Sequence, residues 1–239
     1  EPAYWTMGLL DPNDWRARWI SHDPEIVRRD PGAVAGTDLQ PGTPSLLRKA
    51  FSLTQPTSQA FLYVTARGIV DLVLNGHPIS ADRFVPEWTD YHKRLHYRTY
   101  DVTDLLIVGD NVLGAYLGDG WWTGFIGWQE VRRQYGNLQN SFLAQLEMQL
   151  DSGEISTIRS DDSWRCETGP IVMSDFMMGE TYDARRERTG WDQAGFNDST
   201  WLPAMEVDPP KVRIPQFEFS KNSPQETETL LPLVAQRNE

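Results

Sequence analysis

The 239-residue chain is poor in cysteine, in histidine and in positive charge, and each shortage removes a class of function. A single cysteine, Cys166, allows no disulfide within the chain and no zinc site built on several thiolates. Lys and Arg number 22 against 34 Asp and Glu, a formal charge of −12, so the basic surface that nucleic acid or an anionic membrane face requires is missing. No apolar run of about 18 residues is present to span a bilayer. The first ten residues, EPAYWTMGLL, lack the charged head and apolar stretch of a signal peptide and begin on Glu. The chain therefore reads as a processed product or an excised piece of a soluble protein, its compartment open. There is no metal-spaced His pair, no phosphate-binding glycine loop and no nucleophile elbow. No long amphipathic helix is present either; the helical hints are single turns at 101–111 and 196–201.

What is present is β structure. Residues 23–45 are dense in Pro, Gly and Asp and are expected as a surface loop. From Leu46 onward, short runs rich in β-branched and aromatic residues alternate with turn residues at the spacing of a sandwich or barrel. Val70, Leu72 and Leu74 share one strand face, and Asn75-Gly76 supplies the positive φ angles of a tight hairpin. Phe142, Ala144, Leu146, Met148 and Leu150 alternate with Leu143, Gln145, Glu147 and Gln149, the two-residue period of a half-buried strand. The turn at 151–154 folds the chain back into ISTIRS. The stretch YHKRLHYR, with His92 and His96, reads as a solvated strand face. From Val207 the prolines and charges suggest a linker or wrapping tail. The expected fold is all-β, a jelly-roll-like β-sandwich with long loops and an extended C-terminal tail.

Residues 118–128, GDGWWTGFIGW, hold the densest chemistry. Glycines let the backbone approach a ligand, Trp121, Trp122 and Trp128 offer aromatic platforms, and Asp119 offers a carboxylate for hydroxyls or a cation. Such a pairing of aromatic face and fixed polar groups suits a monosaccharide. Buried tryptophans also dominate cores, so the same loop serves equally as a packed corner. Trp88 and Tyr91 in PEWTDY carry the same ambiguity, Trp88 being the better exposed platform. In GETYDARRE, Glu180, Asp183 and Arg185 are placed for an Arg–carboxylate pair that locks two loops or strands, or for the lining of a groove against a neighbouring domain.

Five segments in order, residues 73–79, 85–106, 109–128, 179–192 and 196–204, together resemble the N-terminal β-sandwich of bacterial-type α-L-rhamnosidases, glycoside hydrolases with a helical catalytic barrel. The Trp-Trp loop and GETYDAR are the most specific of these. The resemblance implies several things. Residues 1–12 are the stub of an upstream immunoglobulin-like domain, 13–206 the sandwich, and 207–239 the linker toward the barrel. The catalytic acid and base belong to that barrel, leaving none here, and the parent hydrolyses terminal α-L-rhamnosides in a bacterial cytoplasm or outside the cell. The resemblance further implies binding of a rhamnose-containing glycan or glycoside through Asp82, Trp88, Tyr91, Asp119, Trp121, Trp122 and Trp128. In some relatives calcium bridges protein and sugar. Here Asp82 and Asp119 are the candidate ligands, with Ala81 standing where many relatives carry an acidic residue. Two other roles stay open: a purely structural inter-domain scaffold, or a jelly-roll fragment of another glycosidase.

Overall fold

A computed structural model describes residues 8–9, 11–127, 132–135 and 139–211. Trp128, most of the expected stub and most of the expected linker lie outside them. The strands are Ile20–Ser21 (β1), Ser45–Leu53 (β2), Thr57–Arg67 (β3), Ile69–Leu74 (β4), His77–Pro78 (β5), Arg98–Asp101 (β6) and Gly109–Gly118 (β7). They continue as Ser141–Leu150 (β8), Ile155–Arg159 (β9), Arg165–Thr168 (β10), Ile171–Asp175 (β11), Gly179–Tyr182 (β12), Leu202–Pro203 (β13) and Met205–Glu206 (β14). Two four-residue helices, Glu25–Arg28 (α1) and Gly120–Thr123 (α2), interrupt them.

One antiparallel sheet runs β14-β1-β8-β3-β6, with β9 also paired to β8; the other runs β13-β10-β2-β7-β4-β5; β11 and β12 form a separate hairpin. The sheets face each other as an all-β sandwich. Leu62, Val64 and Ala66 of β3 and Phe142, Ala144, Leu146 and Met148 of β8 point inward on the expected period. They meet Leu47, Leu72, Leu74, Leu113, Ala115 and Leu117 of the second sheet, with Trp164 fully buried among them. Each buried Leu, Val, Met or Phe among them contributes roughly 1.5–3 kcal/mol. The Asn75-Gly76 turn takes φ of 54° and 81°, the conformation its residue types favour.

The structure departs from the sequence pattern where a second layer covers the sandwich. Residues 141–146 of β8 are buried on both faces, and only Glu147 and Gln149 beyond them keep a polar outer face. Gln145 is 0% exposed because residues 14–17 cross over it: its side-chain oxygen accepts the Arg16 and Ala17 amides at 2.6 and 3.2 Å, and its amide group donates to the Asp14 carbonyl at 2.9 Å. Residues 23–45 are a pinned strap rather than a plain surface loop. Ile26 of α1 is fully buried, Arg29 pairs with Glu167, and Asp30 takes both Arg186 and Thr168. One apolar anchor in a four-residue helix leaves no period to read. Residues 92–98 are not one solvated face, since Leu95, Tyr97 and Arg98 are buried and Arg98 pairs with Glu87. Residues 196–201 form turns without helix. There Asp198 holds the buried Arg48, and Trp201 packs with Trp191 against β7 at Gly114. A Cβ at Gly114 would lie 2.8 Å from both Trp191 and Val73, so only glycine admits this packing.

Candidate functional site

The strand β7 delivers the GDGWWTG segment to the edge of the sandwich. Gly120 opens α2 at φ +50°, and a Cβ there would meet Ile69 at 2.6 Å; one on Gly124 would meet the Gly120 carbonyl at 2.2 Å. These two glycines fold the turn so tightly that adjacent tryptophans diverge. Trp122 is buried, edge-on to Tyr91 at 5.6 Å, and stacks on Tyr135 at 6.4 Å with Arg67 over its ring. Trp121 is half-buried at the edge of the same cluster.

Around Trp121 stand three exposed aromatics. Trp88, 51% exposed, lies nearly parallel to it (9°, centroids 6.3 Å apart), with Phe84 edge-on at 5.7 Å and Phe176 tilted at 4.8 Å. Together they form an aromatic ledge. Each member is held from behind. Trp88 Nε1 donates to Tyr135 Oη at 3.0 Å. Phe84 and Glu87 hold positive φ, 59° and 80°, in a loop fixed by the Val70 amide on the Val85 carbonyl and by the Glu87–Arg98 pair. Strained backbone of this kind persists where its surroundings over-determine it, and it collects at functional loops. Phe176 rides on the β11–β12 turn, which buried Asp175 ties down. Its carboxylate accepts the Phe125 amide at 2.9 Å from the α2 side and the Met177 and Met178 amides at 2.8 and 3.1 Å.

Below Phe84 and Phe176 runs a groove of about 280 Å³ across the outer face of β4 and β7, with Asp71, Arg83, Ser174, Asp175 and Glu180 as its polar groups and Tyr116 in its wall. An adjoining cleft, about 190 Å³, shares Asp71, Arg83 and Tyr116 and adds Asp82 and Tyr100. Tyr100 donates to Asp82 at 3.1 Å; burial first, and then that carboxylate, push its phenol well above the usual range.

The predicted site residues thus separate. Trp88 and Trp121 share the ledge. Tyr91 and Trp122, 3% and 6% exposed, lie beneath it as support, and burial drives the Tyr91 phenol upward. Asp82 and Asp119 line different clefts. Asp119 has no vacant oxygen: Oδ1 lies 2.9 Å from Thr123 Oγ1 and from Asn140 Nδ2, while Oδ2 takes the Arg132 guanidinium and the Gly42 amide. A carboxylate already neutralised by a buried guanidinium does not fit a calcium ion, which asks for several free oxygens. No cluster of three or more His, Cys, Asp or Glu suited to a metal occurs among the described residues. Glu180 sits in the groove. Arg185 and Asp183 pair within one turn at 2.8 and 2.7 Å, which holds the exposed Asp183 carboxyl down at about 2. The contact that clasps distant segments is made next door, by Arg186 on Asp30. Phe84, Phe176, Asp175 and Arg132 were not anticipated. The exposed apolar run FMM at 176–178, in a turn, was the one visible sign.

The alpha-L-rhamnosidase N-terminal domain matches residues 55–222. The chain belongs to this family. An alpha-L-rhamnosidase of Formosa agariphila is 37% identical over 82% of the chain, and one of Streptomyces avermitilis is 44% identical over 68%. The chain spans about a fifth of the length of these relatives, 21% and 16%. Among solved structures, native α-L-rhamnosidase from Aspergillus terreus superposes with a TM-score of 0.76 at 37% identity, covering 85% of the chain and 23% of that protein. The Streptomyces avermitilis enzyme complexed with L-rhamnose gives 0.68 at 41% identity, covering 73% of the chain and 17% of that protein. In this rhamnosidase N-terminal domain no helix among the described residues is long and apolar enough to cross a membrane.

Proposed function

We propose that the chain is the accessory sandwich of an enzyme that hydrolyses terminal α-L-rhamnosides, and that its aromatic ledge holds a rhamnosyl unit. The observation that carries this is the near-parallel pair Trp88 and Trp121, flanked by Phe84 and Phe176, above a groove with three carboxylates and a guanidinium. A 6-deoxyhexose presents a methyl group and an apolar ring face, which stack on aromatic rings, while Asp71, Arg83 and Glu180 take its hydroxyls. One relative's structure holds L-rhamnose, which supports the sugar class. Residues 13–206 form this domain, with the flanking segments leading to neighbouring domains and the catalytic barrel. Calcium has no part through Asp119, whose oxygens are taken.

Isothermal titration of the chain with L-rhamnose tests the proposal. Saturable millimolar binding is expected, unchanged by chelator and abolished in Trp121→Ala; absence of heat from the folded protein would sink it. A second reading has its own support, because Met177 and Met178 stand 45% and 63% exposed beside Phe176. Three consecutive exposed apolar residues suit contact with an adjoining domain. A ledge silent to rhamnose but covered in the full-length enzyme would favour that reading.

A further inference from the structure

A second cleft, about 350 Å³, is lined by none of the ledge residues. It lies between α1, the 34–43 strap and the Asp119–Thr123 turn, with Arg132, Arg133 and Asn140 opposite. Two buried polar atoms in its lining have no hydrogen-bond partner, Arg132 Nε and His22 Nδ1. Arg132 is 3% exposed, and its other nitrogens serve Asp119 and the Thr37 and Gln40 carbonyls. An unmet buried N–H is rare in a folded protein and asks for an occupant. The charge around it selects which. In a chain of net −12, this lining carries three guanidiniums, Arg28, Arg132 and Arg133, against the Asp119 carboxylate alone. Arg28 meets Glu25 only at 3.4 Å on the exposed rim, a contact that solvent screens and an incoming anion readily replaces, while half-buried Arg133 donates to the Gly36 carbonyl at 2.7 Å and meets Asp38 at 3.4 Å. Pro24, Val27, Val34 and Ala35 add an apolar wall, so the occupant is organic rather than a bare ion. The volume sits at the small end of ligand pockets, which run from about 300 Å³.

We propose that this cleft binds a small organic carboxylate, its oxygens accepting from Arg132 Nε and its body lying along the Pro24–Val34 wall. The ledge and this cleft share no residue, so the inference stands whether or not the ledge binds sugar.

The test is a titration of the ¹⁵N-labelled chain with D-glucuronate and, separately, with D-glucose, which differ in the carboxylate. The readout is the Arg132 Nε–Hε cross-peak, identified by its loss in Arg132→Lys. Glucuronate is expected to move it saturably and glucose to leave it unmoved. Arg28→Glu, at the exposed rim and outside the core, is expected to keep the fold and weaken glucuronate roughly tenfold, the worth of one charge-assisted contact. Equal response to glucose, shifts confined to other arginines, or no shift at tens of millimolar glucuronate would each overturn the proposal.

Discussion

Arg132 and Asp119 show what one ion pair does when it is buried among loops. The guanidinium joins the 34–43 strap, the Trp-Trp turn and Asn140 through a single carboxylate. Removing one partner leaves a buried charge unmatched. Arg132→Leu is therefore expected to cost about 3–5 kcal/mol in urea unfolding, whereas Arg185→Leu, which removes a solvent-screened surface pair, is expected to leave the urea midpoint nearly unchanged. His22 sets a pH dependence. Burial lowers its pKa from 6.5 to about 4 against the pull of Asp119 and Asp23, so between those values the unfolded chain binds the extra proton and stability falls as pH drops. Stability measured from pH 7 to 4 should decline, and His22→Gln should flatten part of that decline. His96, also lowered, mainly by burial, retains its share. An unchanged slope in His22→Gln would contradict the assignment.

At the scale of elements, the β11–β12 turn matters most, because it carries Phe176 to Trp121. Asp175→Ala is expected to speed hydrogen exchange of the Phe125, Met177 and Met178 amides about tenfold or more, leaving β3 and β8 unaffected. Gly120→Ala forces a side chain into left-handed backbone against Ile69 and is expected to cost about 1–3 kcal/mol. These elements were unequally legible. The alternation of β8 and the Asn75-Gly76 turn follow from local stereochemistry, so residue types alone reveal them. The ledge does not, since Phe84, Trp88, Trp121 and Phe176 come from three separate loops and meet only after the sheets pack. Burial of Tyr91 and Trp122 was hidden for the same reason: an aromatic residue in a loop has the same composition whether it faces solvent or Tyr135. Asp119 looked like a free carboxylate because its guanidinium lies beyond the loop that carries it.

At the scale of the molecule, two sheets supply the core while loops and strap build a second layer that carries the aromatic ledge and the Arg132 cleft. On the proposed function catalysis belongs to other domains, so the isolated chain is expected to show no turnover of an aryl α-L-rhamnoside; measurable hydrolysis by the pure chain would contradict that division. The ledge determines which tryptophans meet sugar, and the indole N–H spectrum of the chain titrated with L-rhamnose distinguishes them. The Trp88 and Trp121 resonances should move together and saturate, while those of buried Trp122, Trp164 and Trp191 stay in place. Stationary Trp88 and Trp121 signals, or shifts confined to the buried rings, would contradict the account.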